Sequence, residues 1–209
     1  MTRPQLITEV AGGDFSFGAY NQKFLEGRQG ISMIALQSRD WKADRRTFHA
    51  AGLEVMKPFN FSRTATLPDG TKVEVGFDLT YITRDQAPQA MFFTCCHRHK
   101  PEHFYKPDFQ SHTNSAAAIR FVRIETDDVT RTKAFISAIG LEEGLFLVNG
   151  GDGASSEQIA GFAITVENLD FVSAHLKRQD IKFKEGLNSL VISPDITLGV
   201  EITFCGEKN

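Results

Sequence analysis

The 209-residue sequence has little of what usually declares a protein's surroundings. It holds three cysteines, two of them adjacent at Cys95 and Cys96. Neighbouring cysteines rarely bridge and an odd number leaves one over, so no disulfide framework is expected. The formal charge is only −3, from 23 basic and 26 acidic residues. That balance gives no basic stripe for a nucleic-acid partner. The longest apolar runs, GLFLV and NSLVI, fall far short of the about 20 residues a membrane-spanning helix needs. The stretch MTRPQLITEV lacks the apolar core of a signal peptide. These absences predict a cytoplasmic protein with reduced thiols and neither a nucleic-acid nor a membrane partner. Tryptophan occurs once against 18 phenylalanines, so aromatic packing has to come from phenylalanine. A hydrophobic fraction of 41% is enough for a sizeable core.

What the sequence does contain is one plan written three times. MIALQSRDWKADRRTFHAAGL, FVRIETDDVTRTKAFISAIGL and GFAITVENLDFVSAHLKRQDI each open on a strand-like apolar run. Each then places Asp40, Asp128 or Asn168 where a helix N-cap belongs. Trp41 and Phe48, Val129 and Ile136, and Leu169 and Leu176 follow at the two-turn spacing of a buried stripe. Gly52, Gly140 and Asp180 close the segments, each followed by an aliphatic residue. The spacing predicts helices over 40–51, 128–139 and 168–179.

After the first helix, residues 55–66, 72–82 and 90–99 read as strands, with the turn LPDG between the first two. The middle strand alternates Val73, Val75, Phe77, Leu79 and Tyr81 against Lys72, Glu74, Gly76, Asp78 and Thr80. One face is expected to meet a helix and the other to meet water or a polar cavity. Residues 30–99 therefore spell βαβββ, and 160–205 spell it again with strands near 182–185, 188–193 and 198–204. The middle repeat stops after one strand and the loop GDGASSEQ, and PQLITEV reads as the last strand of a unit whose beginning is missing. The fold class is α+β, with one module in 1–115 and a βαβ plus βαβββ pair in 116–209. An open sheet edge left by the incomplete front module predicts a homodimer.

FSFG at 15–18, GISMIAL at 30–36, AAGL at 50–53, FSR at 61–63 and FFTCCH…PE…H.N ending at Asn114 follow in this order. Together with the repeated βαβββ plan they resemble the glyoxalase-like branch of the vicinal oxygen chelate superfamily, over most of 5–125. The resemblance implies curled mixed sheets with helices outside, forming a cup for a divalent metal that binds vicinal oxygens of a small substrate as a Lewis acid. It implies a ligand His on a module's first strand and a Glu or His on its last. The first-strand position falls seven residues before each cap, at Met33, Phe121 and Gly161, none of which can ligate. Glu201 in GVEITF stands where the last-strand carboxylate would, and His97 ends the matching strand of the earlier module.

Residues 92–112, FFTCCHRHKPEHFYKPDFQSH, hold four of the six histidines. On an extended strand Cys95, His97 and His99 share one face. Two imidazoles so placed, with Glu102 beyond the Lys-Pro turn, would suit Zn, Mn, Fe or Ni. The expected metal ligands are His97, His99 and Glu201, and the expected catalytic set is His97, Glu102, His112 and Glu201. Arg63, Asn114 and Met33 are the expected substrate contacts, Arg63 as a bidentate clamp on an anionic group. The plainer alternative is that the cluster closes a strand and starts a loop, and that no metal is bound. His103 then packs its aromatic loop, and His49 and His175 sit on helices. A Cys95–His97 nucleophilic pair is a further alternative. NGGDGASS lacks the Gly-Lys-Ser/Thr ending of a phosphate loop and reads as a connector. HRHKPE lacks the longer gap and the second His-bearing strand of a cupin. Two functions stay open: a metal-assisted lyase, isomerase or dioxygenase of glyoxalase type, and a non-catalytic protein that binds or sequesters a small molecule.

Overall fold

Local cap chemistry sets the helices in the computed structural model, which describes residues 17–83, 90–107, 110–141, 144–150 and 157–207. The described helices are α1 (Phe17–Gly27), α2 (Trp41–Ala50), α3 (Val129–Ala138) and α4 (Leu169–Arg178). Asp40 accepts hydrogen bonds from the amides of Lys42 and Ala43 at 2.9 and 3.1 Å. Asp128 accepts from Arg131 N and Asn168 from Phe171 N, each at 2.9 Å. These bonds satisfy first-turn amides that have no partner within the helix. At the other ends Gly52, Gly140 and Asp180 take φ of 76°, 75° and 54°. The following amides turn back, Leu53 N to Phe48 O, Leu141 N to Ile136 O and Ile181 N to Leu176 O, closing a Schellman motif each time. Asp180 accepts a left-handed backbone that costs an L-residue about 1 kcal/mol.

Within the described residues the chain divides into two compact units, the first ending at His103 and the second starting at Phe104. The first unit holds β1 (Met33–Ser38), β2 (Phe59–Thr66), β3 (Lys72–Tyr81) and β4 (Met91–His97) in the order β1-β4-β3-β2. Strands β1 and β4 are parallel and the other pairs antiparallel. The second unit holds β5 (Ala116–Thr126), β6 (Phe146–Gly150), β7 (Gln158–Val166), β8 (Lys184–Gly186), β9 (Ser189–Ile192) and β10 (Glu201–Gly206), in the order β6-β5-β7-β10-β9-β8. The block β7-β10-β9-β8 repeats β1-β4-β3-β2, parallel pair included. This is the α+β class expected. α1 was not foreseen; its Tyr20 hydroxyl donates to Ser32 O at 3.1 Å and ties the helix to the start of β1. PQLITEV and GDGASS lie outside the described residues. No helix among the described residues is long and apolar enough to cross a membrane.

Helix α2 packs on the polar-sided face of its sheet. Thr80 donates to Trp41 O and Thr94 to an Asp44 carboxylate oxygen at 2.6 Å, so the even-numbered side chains of β3 and β4 face the helix. The face bearing Val73, Val75, Phe77, Leu79 and Tyr81 is therefore turned away from α2. In the second unit α4 covers β9 and β10 through Val166, Val172, Leu176, Leu190, Ile192 and Phe204.

Candidate functional site

Strand register assembles the residues on the face of the first unit turned away from α2. Phe61, Phe77 and His97 stand opposite one another on β2, β3 and β4, and Arg63 stands opposite Val75 in the next row. Phe77 stacks on Phe61 at 5.0 Å between ring centroids and meets the edges of His97 at 5.2 Å and His99 at 5.0 Å. Tyr81 extends the array to Phe59 at 6.1 Å and Phe93 at 4.8 Å. The result is a sheet face of aromatic rings that ends in two imidazoles and carries one exposed guanidinium at its edge strand.

His97 and His99 stack at 4.8 Å, 24° from parallel, and His103 lies 6.2 Å beyond His99 at 4°. His99 Nδ1 lies 3.1 Å from Gly76 O. A carbonyl only accepts, so this nitrogen carries a proton. Imidazole lone pairs lie in the ring plane, and stacked rings aim them side by side. A single metal at 2.0–2.1 Å from two of these nitrogens requires one ring to turn. As placed, the three rings do not fit a metal, and among the described residues no group of three or more His, Cys, Asp or Glu is gathered to hold one.

Burial, with His99 adding to it, lowers the His97 pKa below its usual 6.5. The unfolded chain then binds this proton more readily than the folded one, so stability falls as pH drops through 6.5. Thermal melts should show a lower Tm at pH 5.5 than at pH 7.5, with a smaller difference in His97→Phe. An equal difference in that variant would assign the effect to other groups. Cys95, on the same face, has its thiol pushed up to about 11, by burial first and then by Cys96 and Asp78. It stays protonated at neutral pH, which removes the nucleophilic pair with His97. Alkylation by iodoacetamide at pH 7.5 should leave Cys95 unmodified in the folded protein, as read by peptide mass; rapid labelling there would contradict this.

The second unit holds Gly161 and Glu201. Gly161 on β7 stands in register beside Glu201 on β10, and Arg123 on β5 stands opposite Gly161 on its other side. Arg123 Nη2 lies 3.3 Å from Glu201 Oε1 and Nη1 lies 2.9 Å from Glu125 Oε1. Gln158 Nε2 donates to the second Glu125 oxygen at 3.2 Å. Strands lie about 4.8 Å apart, so Arg123 reaches over the whole of β7. It does so at the one residue there without a side chain. Arg123 and Glu125 were not singled out in the sequence, although their alternation with buried Val122, Ile124 and Thr126 marks them as the outward side chains of β5.

The remaining expected residues have local partners of their own. Met33 pairs with Met91, and His97 follows Met91 by six residues, about 20 Å along a strand. The pairing Gly161–Glu201 in the second unit thus corresponds to Met33–Met91 in the first, not to any pair that includes His97. Glu102 sits on an exposed 3-10 turn with Lys100 at 3.9 Å. Asn114 accepts from Ala116 N at 3.2 Å and shapes the entry to β5. His112 is exposed, with its carbonyl accepting from Ser115 N.

A glyoxalase-like domain family model matches residues 9–140. By fold, the chain is similar to a hypothetical protein from Staphylococcus aureus, with 13% identity and a TM-score of 0.65 over 96% of this chain and 75% of that one. It is similar to homoprotocatechuate 2,3-dioxygenase from Arthrobacter globiformis, with 12% identity and a TM-score of 0.54 over 85% of this chain and 63% of that one. The same enzyme from Brevibacterium fuscum, in complex with 3,4-dihydroxyphenylacetate, aligns with 12% identity and a TM-score of 0.54 over 85% of this chain and 62% of that one. The chain thus spans just under two thirds of these two dioxygenases. No curated protein matches it by sequence. The family match covers more than half of the sequence, and the chain belongs to the glyoxalase-like domain family of the vicinal oxygen chelate superfamily.

Proposed function

We propose that this glyoxalase-like protein binds a small oxygenated organic molecule bearing a ring, and that it does so without a metal. The observation that carries this reading is the row Phe61–Phe77–His97 with Arg63 and His99 beside it, on the side of the sheet away from α2. Aromatic faces take a flat ring by offset or edge-on packing. Imidazole nitrogens and a guanidinium supply donors for hydroxyl or carboxylate oxygens, Arg63 in bidentate fashion. A dihydroxyphenylacetate bound by a protein of similar fold has the chemistry this face would recognise. The binding reading is preferred to metal-assisted turnover because neither the imidazole stack nor the Gly161–Glu201 and Met33–Met91 pairs offer converging ligands.

The test is calorimetric titration of a panel of hydroxylated aryl acids, 3,4-dihydroxyphenylacetate first, into protein kept in EDTA. Binding is expected in EDTA, weakened about tenfold by Arg63→Ala, the size of one lost charge-assisted hydrogen bond. His97→Ala is expected to weaken it to a similar degree. Binding that appears only after Zn2+ or Mn2+ is added would overturn the metal-free reading. No binding across the panel would overturn the ligand class.

A further inference from the structure

We infer that in the second unit the guanidinium of Arg123 is a built-in cation that stands in place of a divalent metal. Three strands contribute at one level of the sheet: Arg123 from β5, Gly161 from β7 and Glu201 from β10. A Cβ on residue 161 would lie 2.6 Å from Glu201 O and 3.0 Å from Glu201 Cβ. No imidazole can therefore project from β7 beside Glu201. The space left above Gly161 is crossed by the Arg123 side chain, which bridges Glu125 and Glu201.

All three side chains are partly shielded, at 26%, 32% and 31% exposure for Arg123, Glu125 and Glu201. The guanidinium is charged at every working pH and presents donors in a fixed fork. It neutralises one of the two carboxylate charges, holding Glu125 by a 2.9 Å hydrogen bond and Glu201 by an ion pair at 3.3 Å. A divalent ion at Glu201 would have to displace that fork or sit against its positive charge, and both are unfavourable. The residues here do not fit the metal that the fold family implies, and this arrangement gives the disagreement a physical cause. The inference concerns the second unit alone and does not depend on the ligand-binding reading.

The test uses the full chain and MnCl2, an ion suited to carboxylate oxygens. Native protein, Glu201→Gln, Arg123→Met and the Arg123→Met/Glu201→Gln double variant are compared by calorimetric titration and by thermal melts with and without Mn2+. Native and Glu201→Gln proteins should titrate alike. Arg123→Met, which keeps an unbranched stem and removes the charged head, should gain about one Mn2+ per chain. Its Tm should rise with Mn2+, and the double variant should lose both gains. Arg123→Lys keeps a positive charge and should go on excluding Mn2+. Native Mn2+ binding that weakens tenfold in Glu201→Gln would overturn the inference, as would a folded Arg123→Met with no Mn2+-dependent change. If Arg123→Met does not fold, recovery of folding on Mn2+ addition supports the inference. In that case, Mn2+ uptake by folded Arg123→Lys overturns it.

Discussion

Gly161→Ala should cost about 2–3 kcal/mol of stability and uncouple Arg123 from Glu201. The added Cβ meets a backbone oxygen at 2.6 Å, not the movable end of a side chain. The contact lies between β7 and β10, a parallel pair inside a six-stranded sheet. Neither strand can turn aside without breaking ladder hydrogen bonds, so the two must part locally, the usual cost of overpacking. Gly52→Ala is the contrasting control. Nothing lies within 4 Å of its new Cβ, and its cost of about 1 kcal/mol comes from the φ of 76° alone. Urea unfolding gives both numbers. A double-mutant cycle of Arg123→Met and Glu201→Gln then reads the pair's coupling, which should be present with Gly161 and near zero with alanine. A neutral Gly161→Ala would mean that the sheet has room at this point and that the crossing of Arg123 does not depend on glycine.

Helices α2, α3 and α4 were legible in the sequence because every signal that sets them is local. Asp40, Asp128 and Asn168 each cap the turn that directly follows. The closing positive φ appears twelve residues on at Gly52, Gly140 and even Asp180. α1 was not foreseen, although Tyr20 and Phe24 stand at helical spacing.

Register was not legible, because it is a long-range property set by which strands become neighbours. The sequence placed His97 at a ligand position because it ends a strand. The pairing of Met33 with Met91 shows that the equivalent level lies six residues earlier. Glu201 stands directly beside Gly161 because its strand starts at the pairing level. Arg123 carries no motif of its own. Its role exists only when β5, β7 and β10 lie side by side and the residue between the two charges is glycine. The apolar stripe of β3 suggested a face packed on a helix, yet the threonines of β3 and β4 meet α2 while the rings lie on the other side. Alternation sorts side chains into two faces; it does not say which face the helix takes.

Phe77→Ala is the change expected to reach furthest in the first unit, at about 4 kcal/mol, typical of a buried phenylalanine truncated to alanine. Phe77 is 9% exposed and touches Phe61, His97 and His99 through its ring. Its removal deletes both packing and the edge-on contacts that position the imidazoles. Phe77→Leu refills most of the volume and should cost less than half as much, which separates cavity formation from loss of the ring. Hydrogen exchange should report the loss as faster opening of the β3 and β4 amides, with the α4 amides of the second unit unchanged. The same variant bears on the chemistry of His97. Burial is the first cause of its lowered pKa and His99 the second. Without the Phe77 ring, water reaches the imidazole, the charged form is solvated, and the pKa should rise toward 6.5. NMR titration of His97 in Phe77→Leu, where the fold is better preserved, should show an upward shift relative to the native protein. A midpoint that does not move would assign the depression to His99, and His99→Gln would then be the variant that raises it.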